Sequence, residues 1–230
     1  MGPSGSFPQS YEVFRQPLQK DQKGESIYKS PNPDKEHYVS NMHVTGNTLW
    51  LTENEYAADS SYRQDLKAVD LSTGDVRTVL SAKNGWISYV VTDDSVYYSV
   101  LNRNANAYGP VQKLSRHLGS TELFIPQGGK LTFDGENFYL ADYSQSDGAG
   151  SIRIADKTGT VVQTIDAAEI QKLAAKPQVI MFKNHIMIYD LANNPNEPDL
   201  YTMQIAKKSD ILSGTTDPWT AITAFQSSRN

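Results

Sequence analysis

Four stretches of this chain concentrate side chains that could do chemistry. They read ENEYAADSSYRQD from Glu53, LNRNANAYGP from Leu101, DYSQSDGAGS from Asp142 and LANNPNEPD from Leu191. Two kinds of chemistry suit them. The carboxylates Glu53, Glu55, Asp59, Asp142, Asp147, Glu197 and Asp199 could offer the oxygen ligands that calcium takes. DYSQSDGAG resembles part of a calcium loop but lacks the closing glutamate of the EF-hand pattern, and acidic loops are commonly just solvated. The second chemistry is recognition. Tyrosine supplies broad rigid contact at low entropic cost, and asparagine and serine supply adaptable hydrogen bonds. Tyr56, Tyr62, Tyr108 and Tyr143 are the candidate anchors, with Asn102, Asn104, Asn106, Asn193 and Asn194 as polar partners. The plainer alternative is that the asparagines serve turn geometry.

Other reactive patterns are weak. The chain has no cysteine, which excludes disulfides, thiolate metal sites and cysteine nucleophiles. His37, His43, His117 and His185 show no paired zinc-ligand spacing. There is no G-x-S-x-G elbow. Gly128-Gly129-Lys130 reads as a turn entering a strand, because no helix follows whose N-terminus could hold a phosphate.

The four polar stretches recur at similar places in a repeated unit. GNTLWLTENE, DDSVYYSVLN, DGENFYLADYS and KNHIMIYDLA each run from a tight turn into an apolar strand. Aligning Leu49, Val96, Phe138 and Ile186 gives spacings of 47, 42 and 48 residues. After each polar stretch comes a second strand, in DLKAVDLSTG, GPVQKLSRHLG, GSIRIADKTG and DLYTMQIAKKS. Three of these close on Gly74, Gly119 and Gly159; the fourth has Lys208 and Ser209 instead. A further strand follows each (DVRTVLS, TELFIP, TVVQTID, WTAITAF), and one precedes each unit (HYVSNMHV, WISYVVT, GKLTFD, QVIMF). Four strands in about 45 residues is the period of a β-propeller blade. The expected fold is therefore an all-β propeller of about five blades, four of them clearly repeated. YEVFRQPLQKDQKGESIYKS would add two strands of another blade. DAAEIQKLAAK, with Glu169 three residues after Asp166, predicts one short helix in a connection. Pro177 should stop it. Residues 1–10 read as a linker or a remnant left by cloning, and residues 11–230 as one propeller domain.

LWLTENE, VYYSVLN and FYLADYS, each followed by strands like IRIADKTG, resemble the YWTD repeats of LDL-receptor-type propellers and the NHL repeats, relatives of which occur on bacterial surface proteins. The resemblance spans residues 37 to 210 and is strongest at Phe138–Asp142. It implies a binding scaffold and no particular reaction.

With strands lettered A to D from the axis outward, the four polar stretches are the B–C loops. The A–B turns are minimal, so recognition is expected on the B–C side. A glycosidase would need two acids flanking one bond, projecting from inner strands. HYVSNMHV, WISYVVT, KLTF and QVIMF contain none, and Glu36 and Asp134 only bracket strand ends. Trp86 and Tyr89, on an inner strand, read as core, and Trp219 as packing for an outer strand. The net charge of −5 disfavours nucleic acid and anionic membrane surfaces as partners. No apolar run is long enough to span a bilayer.

The sequence thus predicts a non-catalytic module that binds a protein or a glycan at a bacterial cell surface or otherwise outside the cytoplasm, without a cofactor. One alternative is a calcium-dependent hydrolase or lactonase. The other is a structural propeller packed against a neighbouring domain of a longer chain.

Overall fold

The structure, a computed structural model, describes residues 12–15, 23–30, 36–56, 61–116, 119–144, 148–174, 177–190 and 200–225. Strands β1 (Glu12–Arg15) and β2 (Glu25–Lys29) form an antiparallel pair of their own. Four antiparallel sheets follow in chain order. The first is β3 (Glu36–Thr45), β4 (Thr48–Tyr56), β5 (Tyr62–Asp70) and β6 (Val76–Lys83). The second contains β7 (Gly85–Val91), β8 (Ser95–Asn102), the short β9 (Ala107–Tyr108) beside β8, β10 (Val111–Ser115) and β11 (Thr121–Ile125). The third is β12 (Lys130–Phe133), β13 (Phe138–Ser144), β14 (Gly148–Ala155) and β15 (Val161–Ile165). The fourth is β16 (Pro177–Met181), β17 (His185–Asp190), β18 (Leu200–Lys207) and β19 (Thr220–Phe225). Each is a meander in which sequence neighbours pair, and these are the blades of a β-propeller. The A, B, C and D strands fall where the repeat places them.

The chain divides into two compact units. One takes in the residues up to Ile87 with 91–93 and 102–104; the other holds the remainder. In the first, β1 and β2 cover one face of the first blade. Tyr28, Leu49, Leu51 and Val69 are buried there, with Val13, Ile27 and Val39 packed against them. In the second, Val111, Ile125, Leu131, Phe138 and Leu140 form one core, and the rings of Tyr97, Phe124 and Phe133 pack on it. Another core gathers Tyr139, Ile152, Ile154, Ile186 and Ile188 with Ile170 and Ile211 from two helices.

Turn chemistry explains why the hairpins close where they do. Asp70 Oδ1 accepts the backbone N–H groups of Ser72 and Thr73, and Asp156 Oδ1 those of Thr158 and Thr160. Each aspartate thereby replaces a missing strand partner. Gly74, Gly119 and Gly159 finish these C–D turns at φ of +76°, +65° and +85°, which glycine adopts without steric cost.

Helix α1 (Ala167–Leu173) starts as the sequence predicts, with Asp166 Oδ1 accepting from Glu169 N–H at 2.8 Å. The Glu169 carboxylate accepts from the Trp219 indole at 3.1 Å, so Trp219 ties the lead-in of an outer strand to this helix. Pro177 opens β16. The expectation of a single helix is corrected by α2 (Lys208–Leu212), which fills the C–D connection of the fourth blade where a glycine turn is missing.

Asp134, at the A–B turn of the third blade, accepts from Glu136 and Asn137 N–H, from Tyr139 Oη at 2.7 Å and from Lys208 Nζ at 2.9 Å. Burial alone would raise its pKa. The backbone N–H of Asn137, the Lys208 ammonium, the Glu136 N–H and the Tyr139 hydroxyl outweigh burial and hold it at about 2. A depressed carboxylate stabilises the fold fully above its unfolded value near 3.8 and loses that contribution as pH falls through about 2. The contribution is on the order of 2 kcal/mol. We expect Asp134→Asn to lower stability near neutral pH by about this amount, and to flatten the pH dependence of urea midpoints between about pH 4 and pH 2. An unchanged acid slope would show that Asp134 is not the linked group.

Candidate binding site

The first blade carries its polar residues inside. Strand alternation sends Leu49, Leu51 and Glu53 of β4 to one face, and Trp50, Thr52, Asn54 and Tyr56 to the other. The register pairs Glu53 with Asp65, Asn54 with Gln64 and Tyr56 with Tyr62, so like faces meet across β4 and β5.

On the face toward β2, Glu53 is only 5% exposed. It pairs with Lys67 Nζ and accepts from Tyr28 Oη at 2.9 Å, and Lys67 Nζ also donates to that hydroxyl at 3.2 Å. Burial raises the Glu53 pKa, but Lys67, Ser30 and Tyr28 together bring it below the usual carboxylate range. Burial and the adjacent Glu53 drive the Tyr28 pKa upward. Glu53, a candidate calcium ligand by sequence, is thus engaged internally. Asp59, Asp147, Glu197 and Asp199 lie outside the described residues, and among the described residues no group of three acidic or histidine side chains could hold a metal ion.

On the opposite face, Asn54 uses its full capacity. Its Nδ2 donates to Tyr38 O at 3.1 Å and Ser40 Oγ at 2.9 Å. Its Oδ1 accepts from Tyr62 Oη and from Gln64 Nε2. Gln64 Oε1 in turn accepts from Ile87 N–H. A saturated buried amide of this kind fixes register and ring placement.

This network supports an aromatic cluster at the B–C end of the blade. Tyr38 and Tyr56 stack with ring centres 6.2 Å apart, and Tyr56 meets Tyr62 at 5.0 Å. Trp86 stands edge-on to Tyr62 at 6.5 Å. The Arg103 guanidinium lies 5.0 Å from the Tyr62 ring centre and 5.4 Å from that of Trp86. Asn84 holds these parts together at a left-handed φ of +49°. Its N–H donates to Tyr62 O, its Oδ1 accepts from Tyr62 N–H, and its carbonyl accepts from Arg103 N–H. Burial, followed by the nearby Tyr38 and Tyr56, raises the Tyr62 pKa, against a smaller lowering by Arg103. Among the described residues, no carboxylate pairs with the Arg103 guanidinium.

Of the sequence candidates, Tyr56 and Tyr62 come together here. Tyr62 is buried and acts as the floor, and Tyr56 is half-buried. Asn102 Oδ1 accepts from Asn104 N–H at 2.9 Å, which places it in turn geometry. Asn106 takes φ of +50°, a turn position as well. In the second unit, Tyr108 lies on β9, half-buried. Tyr143 lies on β13, but its side chain is outside the described residues, as are Asn193 and Asn194. Sequence reasoning missed Tyr38, Arg103 and Trp86. Trp86, read as core, is 37% exposed. A usable signal existed: Trp86 opens an A strand, and A strands begin on the same side as the B–C loops.

No protein-family model matches the chain, and no curated protein does. Several solved structures are similar. A prolyl endopeptidase matches with a TM-score of 0.61 and 10% identity, over 96% of this chain and 34% of its own. An oligogalacturonate lyase from Vibrio parahaemolyticus matches at 0.55 and 13%, over 90% and 58%. An uncharacterised protein from Listeria monocytogenes EGD-e matches at 0.52 and 11%, over 96% and 61%. The chain therefore spans less than two thirds of the length of each. At these identities the likeness shows the fold alone.

Proposed function

We propose that this protein is a non-catalytic recognition module, acting outside the bacterial cytoplasm, that binds a protein or glycan partner at the B–C end of the first blade. The observation that carries this reading is the cluster of Tyr38, Tyr56, Tyr62, Trp86 and Arg103, a preorganised aromatic surface with a cation that has no acidic partner among the described residues. Rings held from behind by Asn54 and Asn84 lose little freedom on binding, and aromatic and arginine side chains dominate binding energy in interfaces. The resemblance of the repeats to YWTD and NHL propellers, which are binding scaffolds, supports the same reading.

The non-catalytic part rests on what the acids do. Glu53 and Asp134 are each saturated by an internal lysine and a tyrosine. The similar structures include an endopeptidase and a lyase, but fold-level likeness carries no reaction to this chain.

Arrays of glycans and of extracellular proteins, followed by titration of any binder, test the proposal. Arg103→Ala and Trp86→Ala should each weaken binding about tenfold or more, with melting temperatures close to that of the parent. A partner whose affinity ignores both substitutions would place the binding surface elsewhere.

A further inference from the structure

We infer that the ligand of this cluster is an oligosaccharide carrying a uronic acid, its carboxylate held by Arg103 and a sugar face laid against the exposed part of Trp86. This rests on the proposed recognition role and narrows it to one ligand chemistry.

The first argument is charge. Arg103 is an exposed guanidinium in a chain of net charge −5, and among the described residues it has no acidic partner. Among the described residues its guanidinium contacts are to rings, those of Tyr62 and Trp86, and no hydrogen bond to a described residue engages the edge of the planar group. That edge matches a carboxylate in bidentate fashion. A protein of net charge −5 repels a dense polyanion such as nucleic acid. It accepts an isolated carboxylate.

The second argument is shape. The rings and the guanidinium of the cluster meet one another face to face or edge to face, while the Tyr62 hydroxyl is donated inward to Asn54. Pyranose sugars present an apolar C–H face and a polar hydroxyl edge. The electron-rich face of an indole attracts the first. The half-buried Tyr38 and Tyr56 stand next to that surface with their side chains hydrogen-bonded to each other, and a tyrosine oxygen engaged once keeps a lone pair for a sugar hydroxyl. A peptide would more commonly be anchored by an aliphatic or aromatic side chain in an apolar pocket.

Calorimetric titration with short galacturonate, glucuronoxylan and hyaluronan oligosaccharides, each beside its carboxyl-reduced counterpart, tests the inference. Reduction turns the carboxylate into a neutral hydroxymethyl group and leaves the ring in place. At least one uronate should bind, and its reduced form should bind about tenfold more weakly or worse. Arg103→Gln should erase the difference between the pair, Arg103→Lys should keep part of it, and added salt should shrink it. Trp86→Ala should weaken both members of the pair alike. Equal binding of acidic and reduced sugars overturns the inference and leaves the recognition role standing. Binding of no sugar at all, with a protein partner that depends on Arg103, also overturns it and leaves the broader role intact. Uronate binding that survives Arg103→Gln overturns the assignment of this residue.

Discussion

Replacing Lys67 with methionine should destabilise the first unit by roughly 3–5 kcal/mol. The stem of Lys67 and the methionine side chain are similar in length, so packing is nearly retained. What is lost is the partner of a carboxylate that is almost wholly buried. Glu53 would keep the Tyr28 hydroxyl. His37 lies 3.8 Å away, beyond hydrogen-bond distance. The variant therefore leaves a buried charge without adequate compensation, or forces Glu53 to take up a proton. The double variant Glu53→Leu/Lys67→Met removes both charges. It should recover most of the loss, because an apolar pair of similar volume often replaces a buried ion pair at little cost. Adding Tyr28→Phe removes a hydroxyl that has then lost both of its partners and should recover more. Urea unfolding followed by tryptophan fluorescence reads this directly, since Trp50 is fully buried in the same blade. A single-variant loss below about 1 kcal/mol would show that water reaches the pair, as at surface salt bridges.

Gly128→Ala should cost about 3 kcal/mol, the upper end for forcing a methyl group into a packed site. A Cβ at this position would stand 1.9 Å from the Gly109 carbonyl oxygen and 2.7 Å from Tyr108 Cβ. The main obstacle is backbone, which cannot swing aside as a long side chain would. Gly109 is itself pinned on both sides: its N–H donates to Val100 O at 2.9 Å, and its carbonyl accepts from Ser99 Oγ at 2.7 Å. Gly46→Ala is the matched control. Its Cβ would meet nothing within 4 Å, but φ is +57°. The cost there is conformational alone, about 1 kcal/mol. Thermal unfolding of the two variants should separate them clearly. Equal losses would mean that the close approach at Gly128 relaxes freely, and that Gly128-Gly129 is an ordinary turn.

The sequence by itself determined the architecture. Period-two alternation in LWLTENE or FYLADYS, glycines at Gly74, Gly119 and Gly159, and the Asp166 cap are each read over a few residues. The forces behind them are local: steric limits on φ, turn hydrogen bonds and the two faces of a strand. Repetition at a near-constant spacing of about 45 residues, four strands to the unit, then pointed to blades, whose stacking buries an apolar face of each. The same local reading supplied Tyr56 and Tyr62, because a long loop between paired strands marks an exposed end.

Only the tertiary structure decided which polar residues work inside and which face outward. Glu53 and Lys67 stand 14 positions apart, and nothing in ENEYAADSSYRQDLK marks Glu53 as paired with Lys67 beneath a cover while Asp65, two residues before that lysine, pairs with Arg63. That depends on β2, which brings Tyr28 and an apolar cover over one side of β4 and β5. Trp86 and Arg103 meet Tyr62 because Asn84, in a left-handed turn, joins the end of one blade to a loop of the next through three hydrogen bonds. α2 stands where the sequence shows only the absence of a glycine. Burial and pairing are properties of contacts between distant segments, and a polar side chain has the same local signature whether water or another residue satisfies it.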